Sequence, residues 1–141
     1  MTSGKYGGRF VLDDNVIQSK LVLLAEDDTI SVEIVRHILM QMPGVEVVVA
    51  FDGRAALELA MVRRFDLMIF DRNMPHISGD RVIRQLKASR TINDGTPIIQ
   101  FTADANQIVL NGGNKAMADA TVPKPVQAAK LLSVVQRLLA R

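Results

Sequence analysis

From Leu21 onward the chain alternates between two periods. Short apolar runs at 21–25 (LVLLA), 45–50 (VEVVVA), 66–70 (DLMIF), 97–101 (PIIQF) and 119–122 (DATV) read as strands. Between them lie segments of helical period. Ile30, Ile34, Val35, Ile38, Leu39 and Met42 mark one apolar stripe, and Ala128, Leu131, Leu132, Val135, Leu138 and Leu139 mark another. GRAALELAMVRR and DRVIRQLKAS fill the two middle gaps. A further helix is due over 104–116, although Asn111-Gly112-Gly113 interrupts that segment. This alternation predicts an α/β fold, a parallel sheet of five strands with five helices covering both faces. The runs 67–70 and 47–50 are apolar throughout and predict strands buried on both sides. In such sheets ligands sit at the C-terminal strand ends, beside a topological switch point.

The first 19 residues stand apart as an N-terminal extension before a domain over 20–141. MTSGKYGGR is expected to be disordered, and RFVLDDNVIQSK is either an added piece of structure or a linker. The remaining composition mainly excludes. No apolar run approaches the roughly 20 residues that cross a bilayer, and the N-terminus lacks the apolar core of a secretion signal, so no membrane association is expected. There is no cysteine, which removes disulfides, thiolate metal sites and a cysteine nucleophile, and suits a cytoplasmic location. A net charge of +2 with scattered basic residues gives no nucleic-acid footprint, and Arg63-Arg64 reads as a solvated helix face. His37 and His76 lie too far apart to suggest a metal pair.

The chemistry is written at the strand ends. The third run, Leu67-Met68-Ile69-Phe70, stops at Asp71 and turns at Asn73-Met74-Pro75. A carboxylate delivered there by a buried strand is costly unless it is paired or bound. The first strand also ends in acid, at Glu26-Asp27-Asp28. Asp28 reads as a helix cap. If the first and third strands are neighbours, Glu26, Asp27 and Asp71 meet in one crevice. Three such carboxylates need a counter-charge, and a hard divalent cation with oxygen ligands supplies one; Mg2+ suits best.

Two more strand ends contribute polar groups. The fourth offers the hydroxyl of Thr102, and the fifth offers the ammonium of Lys124 between two prolines. Either alone would be an ordinary surface residue. Together with the acids they compose a phosphoryl-transfer site, where catalysis is mostly positioning and charge neutralisation. Asp71 can itself be the acceptor, as an aspartyl phosphate.

The acid pair AEDD, the turn FDRNMP followed by SGD, then FTA, then KP, at spacings that agree with the family, make residues 20–140 resemble the receiver domain of two-component response regulators. The resemblance implies a flavodoxin-like sheet of order 2-1-3-4-5. It implies Asp71 as phospho-acceptor, with Mg2+ or Mn2+ held by Asp27, by Asp71, by Glu26 partly through water, and by the backbone carbonyl of Asn73. Thr102 becomes the switch hydroxyl, Ala103 leaves room for it, and Lys124 pairs with the phosphoryl oxygens. The Lys124–Pro125 bond is expected to be cis. Asn73 and Asp104 flank the path of an attacking water and tune the lifetime of the phosphorylated state. The donor would be a sensor histidine kinase or a histidine phosphotransfer protein, and a further protein would read the output.

Three positions depart from the family pattern: Thr121 replaces the usual aromatic three residues before the lysine, Met117 a common glycine, and Val126 a common aromatic. They cluster on the face that relatives use for signalling and predict an unusual output surface, or a part for the N-terminal extension. Two other functions compete with the switch. An aspartate-nucleophile phosphatase needs a second aspartate two residues after the nucleophile; that position is Asn73, which cannot transfer the proton. A receiver-shaped interaction module that works without phosphorylation is the alternative; the intact acid pair, Asp71, Thr102 and Lys124 argue against it, while the changed switch positions argue for it.

Overall fold

The computed structural model describes residues 9–12, 15–103 and 118–141. Two short strands come first. β1 (Arg9–Leu12) and β2 (Asn15–Gln18) pair antiparallel in a two-stranded sheet of their own. The extension therefore carries a hairpin, and the expected disorder falls on residues outside those described, apart from Arg9, which opens β1.

The main sheet contains β3 (Lys20–Ala25), β4 (Val45–Ala50), β5 (Leu67–Asp71), β6 (Ile98–Thr102) and β7 (Ala120–Pro123). All neighbours are parallel and the order is β4-β3-β5-β6-β7, which is 2-1-3-4-5 counted within this sheet. The flavodoxin-like expectation holds. Four helices are present among the described residues: α1 (Thr29–Leu39), α2 (Gly53–Val62), α3 (Gly79–Ala88) and α4 (Ala128–Leu139). The helix expected over 104–116 lies outside the described residues.

Side chains alternate across the strands and feed two cores. On one face Val22, Leu24, Leu67, Ile69, Ile99, Phe101 and Val122 pack against α1 and α4. On the other, Leu23, Met68, Phe70 and Ile98 pack against α2 and α3. The three inner strands are buried almost throughout, as their unbroken apolar runs require. β4 is not: Val47, Val48 and Val49 are only half-buried, because β4 is an edge strand with one neighbour.

The α1 stripe also differs from its prediction. Val35, Ile38 and Leu39 are buried together with Val32, whereas Ile30 is 69% and Ile34 52% exposed. The core-facing row of α1 begins at Val32, and the two isoleucines lie outside it. No helix among the described residues is long and apolar enough to cross a membrane.

Candidate phosphoryl-transfer site

The strand-end residues meet on the C-terminal edge of the sheet. Asp71 is the last residue of β5 and is 3% exposed; Glu26, directly after β3, is 1% exposed, while Asp27 faces solvent. Because β3 and β5 are neighbours, carboxylate oxygens of Glu26, Asp27 and Asp71 lie within 4.8 Å of one another. The switch point between β3 and β5 makes this meeting possible, since the chain leaves the two strands in opposite directions.

Lys124 closes the cluster. Its backbone N–H donates to the Thr102 carbonyl at 2.8 Å, fixing the residue beside the end of β6. Its ammonium lies 3.0 Å from Glu26 Oε1 and 3.1 Å from Asp71 Oδ2. Burial pushes the Glu26 carboxyl above its usual range and the neighbouring Asp71 charge adds to this, against the opposing pull of Lys124 and of the Asp28 N–H. Burial also works against the Lys124 ammonium, but the two carboxylates outweigh it and hold the lysine above its usual value. One cation thus serves two buried acids, with the Asp27 carboxylate beside them. Glu26 Oε2 accepts from the Asp28 N–H at 3.2 Å, yet Oε1 is buried and, apart from its ion pair with Lys124, has no hydrogen-bond partner. Hard oxygen donors carrying more negative charge than one ammonium balances fit a Mg2+ or Mn2+ ion.

The loop that presents Asp71 is held by close backbone packing. The Arg72 N–H donates to the Phe101 carbonyl at 3.0 Å, and the Arg72 carbonyl accepts from the Gly79 N–H at 2.9 Å. A Cβ on Gly79 would come within 2.2 Å of the Asp71 carbonyl oxygen, and one on Gly53 within 1.8 Å of the Ile77 carbonyl oxygen. Only glycine allows α2 and α3 to start this close to the loop. Between them His76 takes a left-handed φ of 69°. Asp28, as expected, caps α1: it accepts from the Ser31 N–H at 3.0 Å and from the Ser31 hydroxyl at 2.6 Å.

Other expected residues are placed as follows. Thr102 ends β6 and is buried, and Ala103 beside it is exposed. Asn73 is exposed two residues past Asp71, and Thr121 is half-buried within β7 opposite Gln100. The Lys124–Pro125 peptide is cis. Asp104 and Met117 lie outside the described residues. Sequence reading missed a polar chain beside the acceptor: Gln100 Nε2 donates to Asp80 Oδ1, and Asp80 Oδ2 accepts from Arg72 Nε at 3.0 Å. An amide within the apolar run PIIQF was its one sequence signal.

Residues 22–136 match the family described as the response regulator receiver domain. The chain belongs to that family. The response regulator MprA of Mycolicibacterium vanbaalenii is 36% identical over 120 residues, covering 85% of this chain and 50% of its own length. This chain therefore spans about half the length of the curated relatives it matches first. Among solved structures, the receiver domain of a Pseudomonas aeruginosa sensor histidine kinase superposes with a TM-score of 0.77 at 26% identity, covering 87% of this chain and 99% of that one. That structure carries a magnesium ion in its active-site cleft. The chemotaxis response regulator CheY4 of Vibrio cholerae gives a TM-score of 0.76 at 30% identity, covering 86% and 99%. The receiver domain is a signalling module of phosphorylation-based two-component systems, and an acidic pocket of the kind that binds Mg2+ in such domains is present here.

Proposed function

We propose that this chain is a phospho-accepting switch whose acceptor is Asp71. An Asp71 oxygen attacks the phosphorus of a phosphohistidine in line; the P–O bond forms as the P–N bond breaks, and the departing imidazole nitrogen keeps the electron pair and takes a proton. Glu26, Asp27 and Asp71 by side chain, and Asn73 by its backbone carbonyl, are the residues that would hold Mg2+ or Mn2+, which supplies charge neutralisation for the phosphoryl oxygens. Lys124 keeps its ammonium on the same oxygens, Thr102 moves its hydroxyl towards them, and Ala103 leaves space for that movement. Asn73 and Asp104 border the approach of water, and the cis bond to Pro125 sets the direction of the chain after Lys124. The observation that carries this reading is the Lys124 ammonium, 3.0 Å from Glu26 and 3.1 Å from Asp71, beside a third carboxylate.

The donor in this reading is a sensor histidine kinase or a histidine phosphotransfer protein. It docks on α1, where Ile30 and Ile34 are exposed just past Asp27, and a further protein reads the phosphorylated state in the cytoplasm. The domain division at 19/20 is part of the proposal, since the main sheet begins with Lys20 and the hairpin before it forms its own sheet. Intact-mass spectrometry after incubation with acetyl phosphate and Mg2+ tests the acceptor. The expected result is a single phosphoryl adduct that is lost without metal and in Asp71→Asn. A folded chain that forms no adduct and gives no response to beryllofluoride is instead an interaction module that acts without phosphorylation.

A further inference from the structure

β6 is buried at every position, and four of its five residues suit that setting: Ile98, Ile99, Phe101 and the terminal Thr102. Gln100 does not. Its amide is 1% exposed within a strand between two apolar cores, where an unbonded amide is strongly disfavoured and leucine would pack at no such cost. The amide is retained through Asp80, whose Oδ1 accepts from Gln100 Nε2 and whose Oδ2 accepts from Arg72 Nε at 3.0 Å. Asp80 lies in the first turn of α3, where the helix dipole favours an acid. The dipole alone, however, needs neither a buried amide nor an arginine as partner.

The three residues sit at informative places. Arg72 immediately follows the acceptor, and its main chain is bonded to both Phe101 of β6 and Gly79 of α3. Gln100 precedes Thr102 by two residues on the same strand, so both side chains project to one face of the sheet. A continuous polar chain therefore runs from the strand of Thr102, through the start of α3, to the residue beside Asp71. Its members are only partly exposed, with the Arg72 and Asp80 side chains at 25% and 24%. On the neighbouring strand Thr121 pairs in register with Gln100.

We infer that Asp80 and Gln100 are positioning residues which join the Thr102 strand to the acceptor loop, so that a change at Asp71 is passed to α3. The inference rests on the phospho-switch reading above. Movement of Thr102 towards a phosphoryl group draws β6 with it. Gln100 transmits that shift to Asp80, and the Arg72 pair keeps the acceptor loop in step. The output then leaves through α3, whose outer face carries Arg81, Arg84, Gln85 and Lys87 exposed.

The test is hydrogen exchange read by mass spectrometry on the whole chain, with and without beryllofluoride and Mg2+, in the wild type, Asp80→Ala and Gln100→Leu. The second variant fills the same space with an apolar group and guards against a simple loss of folding. In the wild type both 98–103 and 79–88 are expected to change protection. In the variants 98–103 still responds, while the response of 79–88 falls about fivefold or more, the size of an ordinary coupling. A destabilised helix alone would raise exchange in 79–88 without ligand and leave its response to ligand intact. Either variant keeping the full α3 response overturns the relay and leaves the switch standing, as does a wild type in which only 98–103 responds. A wild type that takes no beryllofluoride overturns both.

Discussion

The two ends of the sheet use similar polar residues in opposite ways. At the N-terminal strand ends four polar side chains are tied to the main chain. Asn93 donates to the Ala60 and Arg63 carbonyls at 2.6 and 2.8 Å and accepts from the Phe65 N–H at 2.8 Å. Thr96 donates to the Phe65 carbonyl at 3.2 Å, Asp66 accepts from the Leu21 N–H at 2.7 Å, and Asp119 accepts from the Ile98 N–H at 2.8 Å. At the C-terminal ends Glu26 and Asp71 share one ammonium, and the carboxylate of Asp27 lies beside them. The first set is held by backbone partners; the second gathers like charges around a single cation.

Substitution at the two ends should therefore break different things. Asp71→Asn is expected to abolish the phosphoryl adduct altogether while leaving unfolding by denaturant no easier than in the wild type, since it removes one of three neighbouring acids. Asn93→Ala should do the reverse. It leaves the Ala60 and Arg63 carbonyls and the Phe65 N–H without the buried Asn93 amide that joins them, for a loss of about 3 kcal/mol. Equilibrium unfolding measures that loss, and adduct formation at a temperature where the variant is folded should match the wild type. An Asn93 variant that folds normally but accepts no phosphoryl group would erase the distinction between the ends.

Much of this architecture could be read from local pattern. The strand runs, the Asp28 cap and the polar strand ends each depend on neighbours a few residues away. The boundaries of β5, β6 and β7 moved by one position, which places Asp71 and Thr102 within their strands as the last residues. What escaped was set by distant partners. Val47–Val49 read as fully buried because nothing in a run of valines tells an edge strand from an inner one. Ile30 and Ile34 fit the helical period of the stripe, yet the sheet lies under Val32 and Val35 instead. Asn93 sits about 30 residues from the carbonyls it binds, and Asp80 is 20 from Gln100, separations that no periodicity reports. The hairpin β1–β2 had a local signal, two apolar-rich quartets around Asp13-Asp14, which was outweighed by the glycines before it.

A metal titration sharpens the comparison with a smaller effect. At ten times its dissociation constant, Mg2+ should stabilise the fold by about 1.4 kcal/mol, because it binds the assembled carboxylates and not the unfolded chain. Thermal unfolding with and without Mg2+ reads this, and Asp27→Asn should reduce the gain. Asn93→Ala should keep it in full. A gain that persists in Asp27→Asn and Asp71→Asn would place the ion elsewhere.

The smallest effect on stability, and the one that reaches beyond the site, concerns Ile34. It is 52% exposed on α1 and lies outside both cores, so Ile34→Ser should change unfolding free energy by no more than about 0.5 kcal/mol. Acetyl phosphate needs no docking surface, and its adduct should form at the wild-type rate. A phosphohistidine protein must hold its imidazole in line with Asp71, and loss of an apolar contact near the site should slow that transfer several-fold. Comparing the two donors on the same variant separates the chemistry of the carboxylate cluster from the surface that brings the donor to it. Equal slowing with both would mean that Ile34 acts through the fold of α1, and the docking face would then have to be sought on another element.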